Sequence, residues 1–165
     1  MRELLPRMTF AWSVAEPEVV RRFTRSLFET AILTGVALRC LRALVLSAGV
    51  GESWALVVLV ATVALVILFG VATLHLGNYP LDQWTWRTPA FAAIAVCAEM
   101  AMSAVLILVS REYVGSSIAT WSDWPVMFRS AMLTRIPALC LYAVVLAGVV
   151  QGVRRMLARS DRPSS

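Results

Sequence analysis

Not one lysine occurs in the 165 residues of this chain, and all 15 basic side chains are arginine. Charge of either sign is scarce: 15% of residues are charged, against about 25% in soluble domains. That scarcity argues against an ordinary soluble domain. The single histidine, His75, excludes a haem held by two histidines of one chain and a zinc motif built on paired imidazoles. The three cysteines, Cys40, Cys97 and Cys140, fall in three different apolar segments. Their odd number and the lack of a CxxC pair argue against a disulfide framework and a metal knuckle. They are expected to be small hydrophobic filler.

Further absences narrow the function. There is no Gly-rich phosphate loop, acidic metal cluster or nucleophile–base–acid set, so no cofactor, metal or catalytic residue is assigned. A net charge of +5 invites nucleic acid, but the arginines gather at the chain ends and no basic stripe is interleaved with aromatics. Arginine clusters that flank apolar segments meet anionic headgroups and fix topology. The expected partner is therefore the lipid bilayer, anionic lipids included, and not nucleic acid. Exclusive use of arginine points to GC-rich, bacterial coding, and so to a bacterial cytoplasmic (inner) membrane.

What the chain has in abundance is apolar sequence: 59% of it is hydrophobic and its mean hydropathy is +0.76. A bilayer core about 30 Å thick takes about 20 helical residues. Four segments answer to that length: 28–50, 54–76, 89–110 and 126–152. The second is free of charge until His75, the third holds Glu99, and the fourth holds Arg129, Arg135 and Pro137. The first is marginal because Arg39 and Arg42 interrupt it. A central arginine costs about 2.5–3.5 kcal/mol to insert, and each Leu, Ile or Val returns only about 0.3–0.6.

Topology decides for insertion. Four spans place Arg2, Arg7, Arg21, Arg22 and Arg25 on the same side as Arg154, Arg155, Arg159 and Arg162. The opposite loops keep Glu52, Arg111, Glu112 and Asp123, a net acidic set. This is the positive-inside pattern; three spans would force one arginine cluster outside. The expected fold is all-α: an integral membrane four-helix bundle over 27–153, N-in and C-in, with both termini cytoplasmic. Residues 1–26 form a cytoplasmic arginine-rich segment whose end, from Pro17, is expected as an amphipathic interfacial lead-in. The arginine-rich region is too long, and the following apolar run too broken, for a secretory signal peptide. Residues 154–165 are expected as a basic, disordered tail. Trp54, Trp84, Trp86, Trp121 and Trp124 fall at helix ends, where indoles favour the interface.

With that topology, the depths of the ionisable groups can be compared. Arg39 lies roughly 16 Å into its helix and Glu99 roughly 15 Å into its own, at 1.5 Å per residue. Arg135, on a helix running the other way, reaches about the same level. Steps of four from Arg39 meet Ala31, Gly35, Ala43 and Ser47, from Glu99 Ala95 and Ser103, and from Arg135 Ala131, Leu139, Ala143 and Ala147. Such rows of small residues let helices approach closely in lipid. An intramembrane charge network of Arg39, Glu99 and Arg135 is therefore expected. The second segment, bulky all round, is expected to be the most lipid-exposed helix. Pro137 should kink the fourth and free the Leu133 carbonyl.

The count does not balance: Arg39, Arg42, Arg129 and Arg135 face one acid, Glu99. Arg42 and Arg129 are accordingly candidate contacts for an anion or a lipid. At the cytoplasmic rim, His75, Asp82 and Arg87 are the polar candidates. Three functions fit these residues. The first is a non-enzymatic polytopic membrane protein, a subunit or homo-oligomer held by the network. The second is a small transporter or channel component passing an anion or a proton-coupled solute through it. The third is a lipid-headgroup-modifying enzyme at the rim.

Overall fold

The computed structural model describes residues 26–47, 53–114 and 117–160. The expected lead-in therefore lies, Ser26 apart, outside the described residues. Four long helices dominate: α1 (Leu27–Ser47), α2 (Trp54–Gly77), α3 (Trp84–Leu108) and α4 (Trp124–Ser160). All four are long and apolar enough to cross a membrane. A 3₁₀ turn, Leu81–Gln83, leads into α3, and a two-residue-strand hairpin, β1 (Tyr113–Val114) with β2 (Ser117–Ile118), lies between α3 and α4. The strands are antiparallel, with Tyr113 opposite Ile118 and Val114 opposite Ser117.

Local chemistry sets the ends of these helices. Ser26 Oγ accepts the Glu29 backbone N–H at 3.3 Å, half of the Ser-x-x-Glu capping box that the sequence spells there. α2 stops at Gly77, where Asn78 and Tyr79 return their N–H groups to the carbonyls of the last turn and Pro80 follows. Asp123 prepares the start of α4. Its carboxylate accepts both the backbone N–H and the hydroxyl of Thr120, at 2.9 and 2.8 Å. Those two bonds stabilise the charged form, so the Asp123 carboxyl titrates below the ordinary aspartate range.

Helix α3 ends in a tighter device. Ser110 has φ of 54°, the left-handed conformation of a Schellman cap. The Arg111 N–H reaches back to the Leu106 carbonyl and the Ser110 N–H to that of Ile107. The chain is turned sharply at this point, and Glu112 is carried back against the helices.

α1 and α3 run parallel as the central pair. Gly35 is why they come so close: a Cβ added there would overlap the Ala95 carbonyl oxygen and lie 2.9 Å from the Glu99 nitrogen. Ala31, Leu38, Ala92, Ala95, Phe91, Leu68, Ala72 and Leu139 form the main buried cluster, drawn from all four helices. A second cluster of Leu76, Trp84 and Ala143 closes the end near the 3₁₀ turn. There α2 and α4 also meet, with Phe69 stacked on Tyr142 and Thr73 hydrogen-bonded to the Tyr142 hydroxyl at 2.6 Å.

Several boundaries differ from expectation. α3 starts at Trp84 rather than 89, so Pro89 lies inside the helix, and the 3₁₀ turn Leu81–Gln83 leads into it. α4 passes Pro137 without interruption and continues to Ser160. The tail expected from residue 154 is thus helical as far as that serine. α2 is largely exposed, and so is α4, whereas α1 and α3 bury a much larger share of their surface. Two of the tryptophans expected in interfacial belts instead pack inward. Trp84 donates to the Tyr79 carbonyl, and Trp124 donates to that of Met100 while stacking on Phe128.

Candidate functional site

Arg39 sits on the small-residue face of α1, between Gly35 and Ala43, with 2% of its surface exposed. A guanidinium buried that deeply must find an acceptor for nearly every N–H it carries. Its Nε donates to Glu112 Oε2 at 2.9 Å and its Nη2 lies 2.8 Å from Glu112 Oε1, a two-pronged ion pair. Nη2 also donates to Ser103 Oγ at 2.8 Å, and Nη1 to Glu99 Oε1 at 3.3 Å. The second oxygen of Glu99 accepts Arg135 Nη1 from α4. Arg39, Glu99 and Arg135 are thus brought together, with Glu99 as the bridge between the two cations.

Glu112 corrects the expected charge count. The sequence placed it in an outer loop as one more topological acid, yet it is completely buried. Two arginines now meet two carboxylates, and the interior network is neutral overall. The signal that could have found Glu112 is the stretch EYVGSSI. An aromatic and β-branched pair around Gly-Ser is a hairpin pattern, and a hairpin there returns the preceding glutamate to the helix ends. Ser103, one of the small residues in the Glu99 row, has a polar role as well. A serine in a membrane helix ordinarily bonds its own backbone, whereas this one accepts from Arg39.

The other candidates separate. Arg129 is exposed, near the start of α4. Arg42 is half-buried and, among the described residues, has no carboxylate within ion-pairing distance. It lines a groove of about 510 Å³ between α1, α2 and α4, which Arg135 and Thr134 also border and whose other walls are aliphatic. Beside Glu99 itself the space is only about 10 Å³, at the lower end of what one water requires.

The rim residues do not form one site. His75 is fully buried between the rings of Tyr79 and Phe91. Arg87 lies flat over the Tyr79 ring, 3.4 Å from its centre, and donates to Gln83. Asp82 is exposed on the 3₁₀ turn. Tyr79 and its stacked arginine therefore cover the imidazole, and the carboxylate stands apart from it. Among the described residues, no three His, Cys, Asp or Glu side chains are placed to share a metal ion. The chain was compared with known family models, curated proteins and solved structures, and none of them matches it.

Proposed function

We propose that this chain is a non-enzymatic integral protein of a bacterial cytoplasmic membrane, with both termini cytoplasmic, serving as a subunit of a larger or homo-oligomeric assembly. Its buried charges hold helices in register rather than process a substrate. One observation carries this reading: Arg39 and Arg135 are ion-paired with Glu99 and Glu112 at the centre, and Glu99 has almost no free space beside it. A group that moved a solute or a proton would need a wetted approach. Cytoplasmic termini are supported by the nine arginines of the terminal segments, against Arg111 in the outer loops.

A second reading, a transporter or channel component for an anion, is favoured by Arg42 alone, because that cation faces a groove rather than a carboxylate. A charge series separates the two. Glu99→Gln should lower stability by about 3–5 kcal/mol, because each arginine then loses a buried counter-ion. Joint neutral, volume-matched replacement of Arg39, Glu99, Glu112 and Arg135 should restore folded yield in detergent. A Glu99→Gln protein that folds normally but abolishes anion flux into proteoliposomes would establish transport and sink the structural role.

A further inference from the structure

The groove between α1, α2 and α4 poses a chemical problem that the network leaves unsolved. Its walls are aliphatic, from Leu46 and Val57 at the hairpin-side end to Leu68 at the deep end. Arg42 projects into this hydrocarbon surface. Its neighbour one turn earlier, Arg39, is fully engaged by Glu99, Glu112 and Ser103. Arg135, across the groove, is paired with Glu99. Three arginines thus share two carboxylates among the described residues, and the surplus positive charge sits at the groove. An uncompensated arginine in a helix that crosses a membrane is costly, most near the centre and less near the ends. A counter-anion removes that cost.

The shape limits what the anion can be. A free inorganic anion would answer the charge but leave the aliphatic walls without an occupant. At about 510 Å³ the groove is of a size that holds a small organic ligand or a stretch of acyl chain. Arg42 lies five residues before the end of α1, or about 7.5 Å along the axis. From that depth its flexible stem reaches toward the headgroup level of the nearer leaflet. We propose that the groove binds one anionic phospholipid from the hairpin-side leaflet, its phosphate held by the Arg42 guanidinium and an acyl chain lying between α1, α2 and α4. This rests on membrane insertion of the four helices and is independent of whether the chain serves as a subunit or a transporter.

The test uses the full-length chain purified in a non-ionic detergent and analysed by native mass spectrometry with phosphatidylglycerol or phosphatidylcholine added. Wild type should retain phosphatidylglycerol about five- to tenfold more tightly than phosphatidylcholine, the preference one arginine confers for a net anionic headgroup over one whose phosphate is neutralised by its own ammonium. Arg42→Gln should abolish that preference, and Arg129→Gln, outside the groove, should keep it. Ala61→Trp fills the groove while leaving every charge in place, and should weaken retention of both lipids whether or not Arg42→Gln folds. Equal retention of the two lipids by wild type, an undiminished preference in Arg42→Gln, or undiminished retention in Ala61→Trp would overturn the proposal. So would a lipid-free dimer that parts in Arg42→Gln, since a second copy would then occupy the groove. Alkaline carbonate extraction of cell membranes separates the failures. A chain released to the supernatant defeats membrane insertion itself, whereas a retained chain that fails the lipid tests defeats only the groove.

Discussion

At the scale of single residues, Arg39 is the hub and Glu112 is its strongest partner. The guanidinium donates Nε to one Glu112 oxygen, holds Nη2 at ion-pair distance from the other, and donates to Glu99 and Ser103 as well. Because all four groups are buried, removing one charge strands another, and the cost is set by desolvation more than by the lost attraction. Glu112→Gln is therefore expected to destabilise the chain by about 3–5 kcal/mol, comparable to Glu99→Gln although residue 112 lies beyond the end of α3. The midpoint of unfolding by denaturing detergent, followed by circular dichroism, measures this. A wild-type midpoint for Glu112→Gln would mean that the carboxylate faces water. Ser103→Ala, which removes one neutral acceptor, should cost only about 0.5–1.5 kcal/mol.

At the scale of helices, the close approach of α1 to α3 makes the network geometrically accessible. Gly35 permits the contact and the Ala95 carbonyl occupies the space a side chain would need. Without a hydrophobic drive between helices in lipid, such backbone proximity supplies much of the association through packing. Gly35→Ala must either part the helices or shift their register. It is expected to lose more stability than the about 1–3 kcal/mol of ordinary overpacking, because the obstacle is backbone. Gly70→Ala on α2 provides the contrast. Nothing lies near an added Cβ there, and alanine favours the helix by up to about 1 kcal/mol. A matched pair of thermal melts decides it, and equal melting of the two variants would contradict the assigned contact. The row Ala31, Gly35, Arg39 and Ala43 is legible in the sequence at steps of four. Which helix it faces is not, because alanine-rich rows occur on α3 and α4 as well.

At the scale of the molecule, α1 and α3 form a polar-centred pair, while α2 and α4 turn much of their apolar surface outward. α2 and α4 meet at the Tyr142 level, and the groove with Arg42 lies between their more separated parts. Orientation in the membrane is a property of the whole chain and has its own test. In a background with Cys40, Cys97 and Cys140 replaced by alanine, Ser117→Cys in β2 should react in intact cells with a membrane-impermeant maleimide reagent. Ser164→Cys should react only after the cells are opened. The reverse pattern would invert the topology, and labelling of both in intact cells would rule out shared cytoplasmic termini.

Four helices long and apolar enough to cross a membrane were legible from the residues alone, though not the start of α3 or the end of α4. Hydrophobic length is a local property, and a bilayer of fixed thickness converts it directly into helices. Constant helical rise likewise predicted Arg39, Glu99 and Arg135 at a common level, and the three side chains do pair through Glu99. Closure of the network, by contrast, depends on a tertiary contact. Glu112 enters it through a reversal at Ser110, a serine in a conformation usually given to glycine, followed by a hairpin of two-residue strands. That return is set by packing across a loop, where neither periodicity nor depth constrains a side chain. The same contact gives Arg39 and Arg135 two carboxylates between them and, among the described residues, leaves Arg42 at the groove and the exposed Arg129 outside the paired set.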